Sequence, residues 1–181
     1  MKFDVYSIDN APEESRPILK GVKEAYGFVP NLFGVFAESP AAAQAYAAIA
    51  QALEKAALDP IEQQVVFLSV SAKNGCEYCV AAHSTIAKGA KMPDEVLTAL
   101  RDKKELPDAR LQALAAFTRA VVEQRGWVSD DDLQAFTAAG FERRHVLDVL
   151  TILAMKTLSN YANHIAKTPL DDAFADQAWQ A

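Results

Sequence analysis

Apolar residues recur along most of the chain at helical rather than alternating spacing. In the run 60–73, Ile61, Val65, Leu68 and Ala72 share one helical face, and Val66 and Val70 lie on the opposite one. Glu62, Ser69 and Lys73 form a polar flank, and Gln64 falls at the edge of the first apolar face. A helix apolar on two faces belongs at the centre of a bundle or in a subunit contact. The same periodicity, punctuated by proline and glycine, predicts helices over 12–26, 30–37, 40–57, 60–73, 76–89, 93–102, 108–125, 129–139 and 142–167. Pro12, Pro40, Pro60 and Pro93 lie near helix starts, where a missing N–H is harmless. Ser39, Asp59 and Ser129 suit N-caps, and Gly27, Gly89, Gly126 and Gly140 suit helix ends. Only residues 1–7 read as extended. The expectation is an all-α helical bundle in one domain, 1–181, with no Ser/Gly-rich linker.

Cys79-Val80-Ala81-Ala82-His83 is echoed by Asn160-Tyr161-Ala162-Asn163-His164. Each follows a largely apolar stretch opened by a glutamate, Glu62 or Glu142. The echo suggests an internal pseudo-repeat of the core helices whose second copy lacks the cysteines.

Composition narrows the function. At 181 residues and 51% apolar the chain suits a globular fold with a sizeable core. A net charge of −6 argues against nucleic acid as a partner. No apolar run approaches the roughly 20 residues of a membrane span, and the N-terminal stretch is acidic where a signal peptide would be apolar. The expected compartment is the cytoplasm, where a close cysteine pair is more often catalytic or metal-binding than structural.

The chain's two cysteines and a histidine form one cluster, Cys76-Glu77-Tyr78-Cys79-Val80-Ala81-Ala82-His83. At i, i+3 and i+7 they share a helical stripe. With a helix beginning near Asn74-Gly75, Cys76 lies in its first turn, where unpaired N–H groups favour a thiolate, and His83 is placed to accept the proton of Cys79. Such a cluster suits attack on a hydroperoxide, giving a sulfenic acid that the second thiol condenses to a disulfide. It equally suits disulfide exchange. Structural zinc wants four ligands, and the chain has only three histidines and no second cysteine pair, so no metal is expected.

The run Leu58-Asp59-Pro60-Ile61-Glu62-Gln63-Gln64-Val65-Val66 and the cluster with its lead-in, Val70-Ser71-Ala72-Lys73-Asn74-Gly75-Cys76, together resemble the core of the AhpD-like alkylhydroperoxidase and carboxymuconolactone decarboxylase family. Gly27-Phe28-Val29-Pro30-Asn31-Leu32-Phe33, and Asn160 to His164 with Thr168-Pro169-Leu170-Asp171, resemble flanking segments of its peroxidase-related branch. The resemblance implies an AhpD-like helical bundle, homo-oligomeric and cofactor-independent. It implies Cys79 as the peroxide attacker, Cys76 as the resolving thiol and His83 in a proton relay. Two positions depart from the well-studied members: Gln64 stands where they have a glutamate, and Tyr78 where they have a histidine.

The leading expectation is therefore a thiol-dependent peroxidase for alkyl hydroperoxides or hydrogen peroxide, serving antioxidant defence, recharged by an external dithiol or thiol reductase. A disulfide-exchange protein and a non-catalytic redox sensor are the alternatives. Gln64, Glu62, Tyr78 and His164 are candidate relay or site-lining residues. Gln64 reads as interior and able to orient His83, Glu62 as a solvated residue on the Lys73 side, and His164 as a satisfied buried polar group or a pocket residue. Glu77 is a substitute acid for the relay. His145 reads as surface, and Leu32, Phe33 and Phe36 as core or oligomer contact rather than pocket.

Overall fold

A computed structural model describes residues 2–181; Met1, the first residue of the extended start expected over 1–7, lies outside the described residues, and residues 2–7 carry no regular secondary structure. Among the described residues the regular structure is helical throughout: α1 (Arg16–Tyr26), α2 (Asn31–Phe36), α3 (Pro40–Ala52), α4 (Pro60–Lys73), α5 (Glu77–Gly89), α6 (Asp94–Arg101), α7 (Ala109–Glu123), α8 (Asp130–Ala138) and α9 (Arg143–Ala166). Short 3-10 turns occupy Glu13–Ser15, Leu53–Lys55 and Asp172–Gln177. The last of these was not anticipated, because its sequence has neither apolar periodicity nor a helix-length run.

Local chemistry sets the boundaries. Ser39, Asp59 and Ser129 each accept a hydrogen bond from the N–H three residues on. At Asp59 the cap is reciprocal: Glu62 Oε2 accepts from the Asp59 N–H at 3.0 Å. The cap of α9 was not foreseen. His145, expected on the surface, is buried, and its Nδ1 accepts from the Glu142 N–H at 2.8 Å.

The doubly apolar α4 is the central helix. It packs against α5, α7 and α9, and Val65, Val66, Leu68 and Val70 are fully buried. Glu62 is not on a solvated flank: it is 5% exposed, and its Oε1 accepts from Arg110 Nε of α7 at 2.9 Å. Lys73 pairs instead with Glu123 of α7. The pseudo-repeat does not extend to the backbone. Its first copy is two helices broken at Asn74–Cys76, whereas the second is the unbroken α9.

Among the described residues no helix is long and apolar enough to cross a membrane.

Candidate active site

The break between α4 and α5 builds the site. Gly75 takes φ +66°, a left-handed conformation that glycine adopts without strain. It lets the Cys76 N–H reach back to Ser71 O at 2.9 Å, which closes α4 in a Schellman turn. Cys76 is therefore the N-cap of α5 rather than a first-turn residue, with extended φ and ψ. The first turn belongs to Cys79, two residues after the helix start at Glu77. There the helix's free N–H groups and dipole favour negative charge.

Both cysteines are reduced, and each is 1% exposed. The sulfurs meet one stripe of α9. Asn163 Nδ2 donates to Cys79 Sγ at 3.2 Å and lies 3.9 Å from Cys76 Sγ. Ser159 Oγ lies 3.8 Å from Cys79 Sγ. One turn before Ser159 is Lys156, a lysine only 1% exposed. Its Nζ is 2.8 Å from His83 Nε2, and it also lies over the Phe67 ring at 5.4 Å. His83 stacks on Phe67 with centroids 4.3 Å apart.

The hydrogen bonds fix the His83 tautomer. An ammonium has only protons to give, so Nε2 accepts from Lys156. Nδ1 then carries the proton and donates it to Gln64 Oε1 at 2.9 Å. Neither ring nitrogen hydrogen-bonds to a cysteine: His83, expected to take the Cys79 proton, is held by Lys156 at Nε2 and by Gln64 at Nδ1.

The electrostatics separate the two thiols. Burial pushes the Cys79 thiol up, but a hydrogen bond from Cys76, the Lys156 charge and the Ser159 and Asn160 side chains outweigh it, and the thiol is lowered to about 5. Cys76 is raised, chiefly because it donates to Cys79 and further by burial. Burial holds His83 well below its usual 6.5, with Lys156 adding to the effect, so the ring is neutral. Burial pulls Lys156 down, but the Cys79 charge more than compensates, and Lys156 stays an ammonium. The site at neutral pH is a thiolate–ammonium pair beside a protonated thiol and a neutral imidazole.

A cavity of about 420 Å³ reaches this network at His83 and Gln64. Tyr78, Ala82, His83 and Met155 line it, and Tyr26, Phe28, Phe33, Phe67 and Phe174 make it largely aromatic. Leu32 and Phe33, expected as core or oligomer contact rather than pocket, line it too. Gln64 lines it beside His83.

The remaining candidates lie elsewhere. Tyr78 turns its hydroxyl away from the sulfurs, donating to Asp171 Oδ2 at 2.6 Å and accepting from the Leu32 N–H at 3.3 Å. Glu62 is committed to its cap and to Arg110, outside the site. His164 is neither buried nor in the pocket: it is exposed, one step around α9 from Asn163. Glu77 is exposed as well. The residues that sequence reasoning missed are Lys156, Ser159, Asn160 and Asn163. Their spacing of i, i+3, i+4 and i+7 is a polar stripe on one face of α9, and that stripe was the available signal. Among the described residues no group of three or more His, Cys, Asp or Glu side chains is arranged to hold a metal ion.

The model of the carboxymuconolactone decarboxylase family matches residues 40–121, a span that holds α4, the break and α5. The whole chain superposes on an alkylhydroperoxidase AhpD core, an uncharacterized peroxidase-related protein from Ralstonia eutropha JMP134, with 27% identity, a TM-score of 0.83 and coverage of 96% of this chain and 93% of that one. The chain has the AhpD-like all-α fold, and its residues 40–121 match the carboxymuconolactone decarboxylase family. Two more distant proteins share its fold. An uncharacterized peroxidase-related protein from Silicibacter sp. TM1040 matches with 18% identity, a TM-score of 0.80 and coverage of 96% and 95%. The debrominase Bmp8, in a cysteine-to-alanine form complexed with 2,3,4-tribromopyrrole, matches with 16% identity, a TM-score of 0.79 and coverage of 98% and 95%. Proteins of curated function yield no significant match. In this chain Gln64 and the buried Lys156 hold the two ring nitrogens of His83.

Proposed function

We propose that the protein is a thiol-dependent peroxidase in which Cys79 attacks and Cys76 resolves. The observation that carries this reading is the placement of Cys79 in the first turn of α5, against a buried ammonium and a protonated thiol. The Cys79 thiolate attacks the terminal oxygen of a hydroperoxide. An S–O bond forms, the O–O bond breaks, and the alcohol leaves once its oxygen takes a proton. Cys76 then attacks the sulfenic sulfur, which forms the disulfide and expels water. An external dithiol restores both thiols. The burial of both sulfurs favours a small peroxide over a large protein disulfide as the oxidising partner.

Thiol counting after one equivalent of cumene hydroperoxide tests the reading. The wild type loses two thiols, Cys79→Ser loses none, and Cys76→Ser holds a sulfenic acid that dimedone traps. Peroxide consumption by Cys79→Ser would falsify it.

The aromatic cavity favours a second reading, reductive removal of bromine from an aromatic ring, the activity named for Bmp8. Cys79 would take the halogen from carbon as a sulfenyl bromide while the ring carbon takes a proton. Cys76 would then displace bromide and form the same disulfide. Bromide release from a brominated pyrrole, with two thiols lost per bromide, supports this reading; intact substrate beside a thiol pair that peroxide oxidises removes it.

The compartment we assign is the cytoplasm, and the assembly a homo-oligomer. Leu147, Leu150, Tyr161 and Ile165 stand exposed along one side of α9. Light scattering at two protein concentrations checks the assembly, and a monomer at both removes it.

A further inference from the structure

The peroxidase reading leaves a proton unassigned. When the O–O bond breaks, an alkoxide leaves and needs one. Gln64 has no acidic proton to give. His83 holds its proton on Nδ1, facing Gln64, and its Nε2 is an acceptor. Cys76 must keep its proton until it resolves the sulfenic acid. Tyr78 spends its hydroxyl on Asp171.

We propose, on the basis of that reading, that Lys156 donates the proton to the leaving oxygen and remains a neutral amine while the Cys76–Cys79 disulfide persists. Lys156 is 1% exposed, and none of the ion pairs among the described residues involves it. The titratable groups around it are Cys76, Cys79 and His83 of α5, Tyr46 of α3 and Tyr26 of α1. α2 has no titratable side chain, and those at the ends of α4 are committed to Arg110 and Glu123. Glu54 and Lys55, on the 3-10 turn against α9, are exposed. The Cys79 thiolate is therefore the anion that keeps the ammonium in place. A buried ammonium without a partner gives up its proton rather than remain charged. Attack on the peroxide removes the thiolate at the moment the alkoxide appears.

The steps balance. Cys79–S⁻, ROOH and Lys156–NH₃⁺ give Cys79–SOH, ROH and Lys156–NH₂. Cys76–SH and Cys79–SOH then give the disulfide and water, the Cys76 proton passing through the amine to the leaving hydroxide. Reduction by a dithiol returns two electrons and two protons, one to Cys76 and one to Lys156, and leaves Cys79 as the thiolate.

Proton counting on the wild type tests this without any peroxide. Dithiothreitol loses two thiol protons when it reduces the disulfide. Near pH 7 the protein takes up both, so an indicator dye in weakly buffered solution registers no net release. Release of one proton per disulfide overturns the proposal, because it means that Lys156 was already charged. Lys156→Arg, whose side chain stays protonated, should release one. The ¹³Cε shift of labelled Lys156 should read ammonium in the dithiol form and amine in the disulfide form; an ammonium in both forms also overturns it. A second arm uses the leaving group. Lys156→Arg, assayed where absorbance at 240 nm shows Cys79 ionised, should slow oxidation by an alkyl hydroperoxide by about 10²-fold. It should barely slow oxidation by a peracid, whose carboxylate leaves unprotonated. Equal slowing of the two oxidants overturns the donor role. A wild type that consumes no hydroperoxide fails the peroxidase reading, a result distinct from the proton count.

Discussion

At the scale of single residues, the site is an exchange of charge between three elements, and its pH dependence follows from that. A Cys79 thiol lowered from its ordinary 9.0 to about 5 is half ionised near pH 5. The rate of thiol loss to peroxide should rise through that pH and stay flat from about pH 6 to 8; a rate still climbing at pH 8 would place the thiol back in its ordinary range. The same shift bears on stability. A group whose folded pKa is depressed stabilises fully above its unfolded value, and the contribution is lost as pH falls through the folded one. For Cys79 the window is 9 down to about 5. His83, held well below 6.5, acts in the same direction below that pH, since folding keeps it neutral. Cys76 is raised, so its contribution is lost only as pH climbs above 9. The reduced protein should therefore gain stability from pH 5 to 8 in urea titrations, with a shallower slope for Cys79→Ser. Gln64→Glu should push the Cys79 thiol upward, because a carboxylate beside His83 gives the ammonium a second anion; an unchanged 240 nm titration would refute this. The cysteines, His83 and Gln64 were legible in the sequence because they sit within 20 residues of one another on adjoining helices. Lys156 was not, because a lysine in a helix ordinarily reads as solvated, and only its partner 73 residues away makes it interior.

At the scale of elements, the helix pattern was legible nearly throughout, because capping and proline chemistry are local. Most departures come where a boundary depends on packing. Cys76 moved from the first turn to the N-cap because the Schellman turn at Gly75 pushes the start of α5 to Glu77. Glu62 moved from a solvated flank into the core because Arg110 of α7 reaches it. Glu62→Gln should cost about 1–2 kcal/mol in chemical denaturation, the size of a weakened cap and a lost charged hydrogen bond. Oxidation of the thiols should be unaffected, since Glu62 lies outside the site; a slowed oxidation would return Glu62 to the relay. The end of α9 offers the opposite sign. Lys167 takes φ 52° and ψ 50° there, a left-handed conformation costly for any residue with a Cβ. Lys167→Gly should therefore stabilise by about 0.5–1 kcal/mol.

At the scale of the whole molecule, the site is closed from two sides by segments remote in sequence. The aromatic cavity meets it at His83 and Gln64, and the segment 177–181 lies over the Cys76 side. Arg101 holds that segment, donating to Gln177 O at 3.0 Å and Ala178 O at 2.9 Å, while Trp179 Nε1 donates to Arg101 O at 3.1 Å. The segment ends against both neighbours of Cys76: the Ala181 N–H meets Glu77 Oε1 at 3.5 Å, and a Cβ on Gly75 would lie 3.4 Å from Ala181. In the proposed peroxidase, oxidant and reductant are therefore expected to take different routes. A small oxidant entering by the cavity is expected to pass His83 on its way to Cys79 with this cover in place. A dithiol must form a mixed disulfide with one of two sulfurs that are each 1% exposed, which requires the cover over Cys76 to lift. Lifting residues 177–181 is a local opening, with a free energy set largely by the contacts of Arg101 and Trp179, while Phe174 stays packed against Phe28 and Tyr78. Arg101→Ala removes the two carbonyl contacts and should speed reduction of the disulfide by a protein dithiol by roughly tenfold, the effect of about 1.4 kcal/mol of opening free energy. Oxidation by hydroperoxide, followed by the loss of thiols in the same variant, should change little. Equal acceleration of both half-reactions would mean general loosening of the bundle, and an unchanged reduction rate would mean that the dithiol arrives through the cavity as the peroxide does.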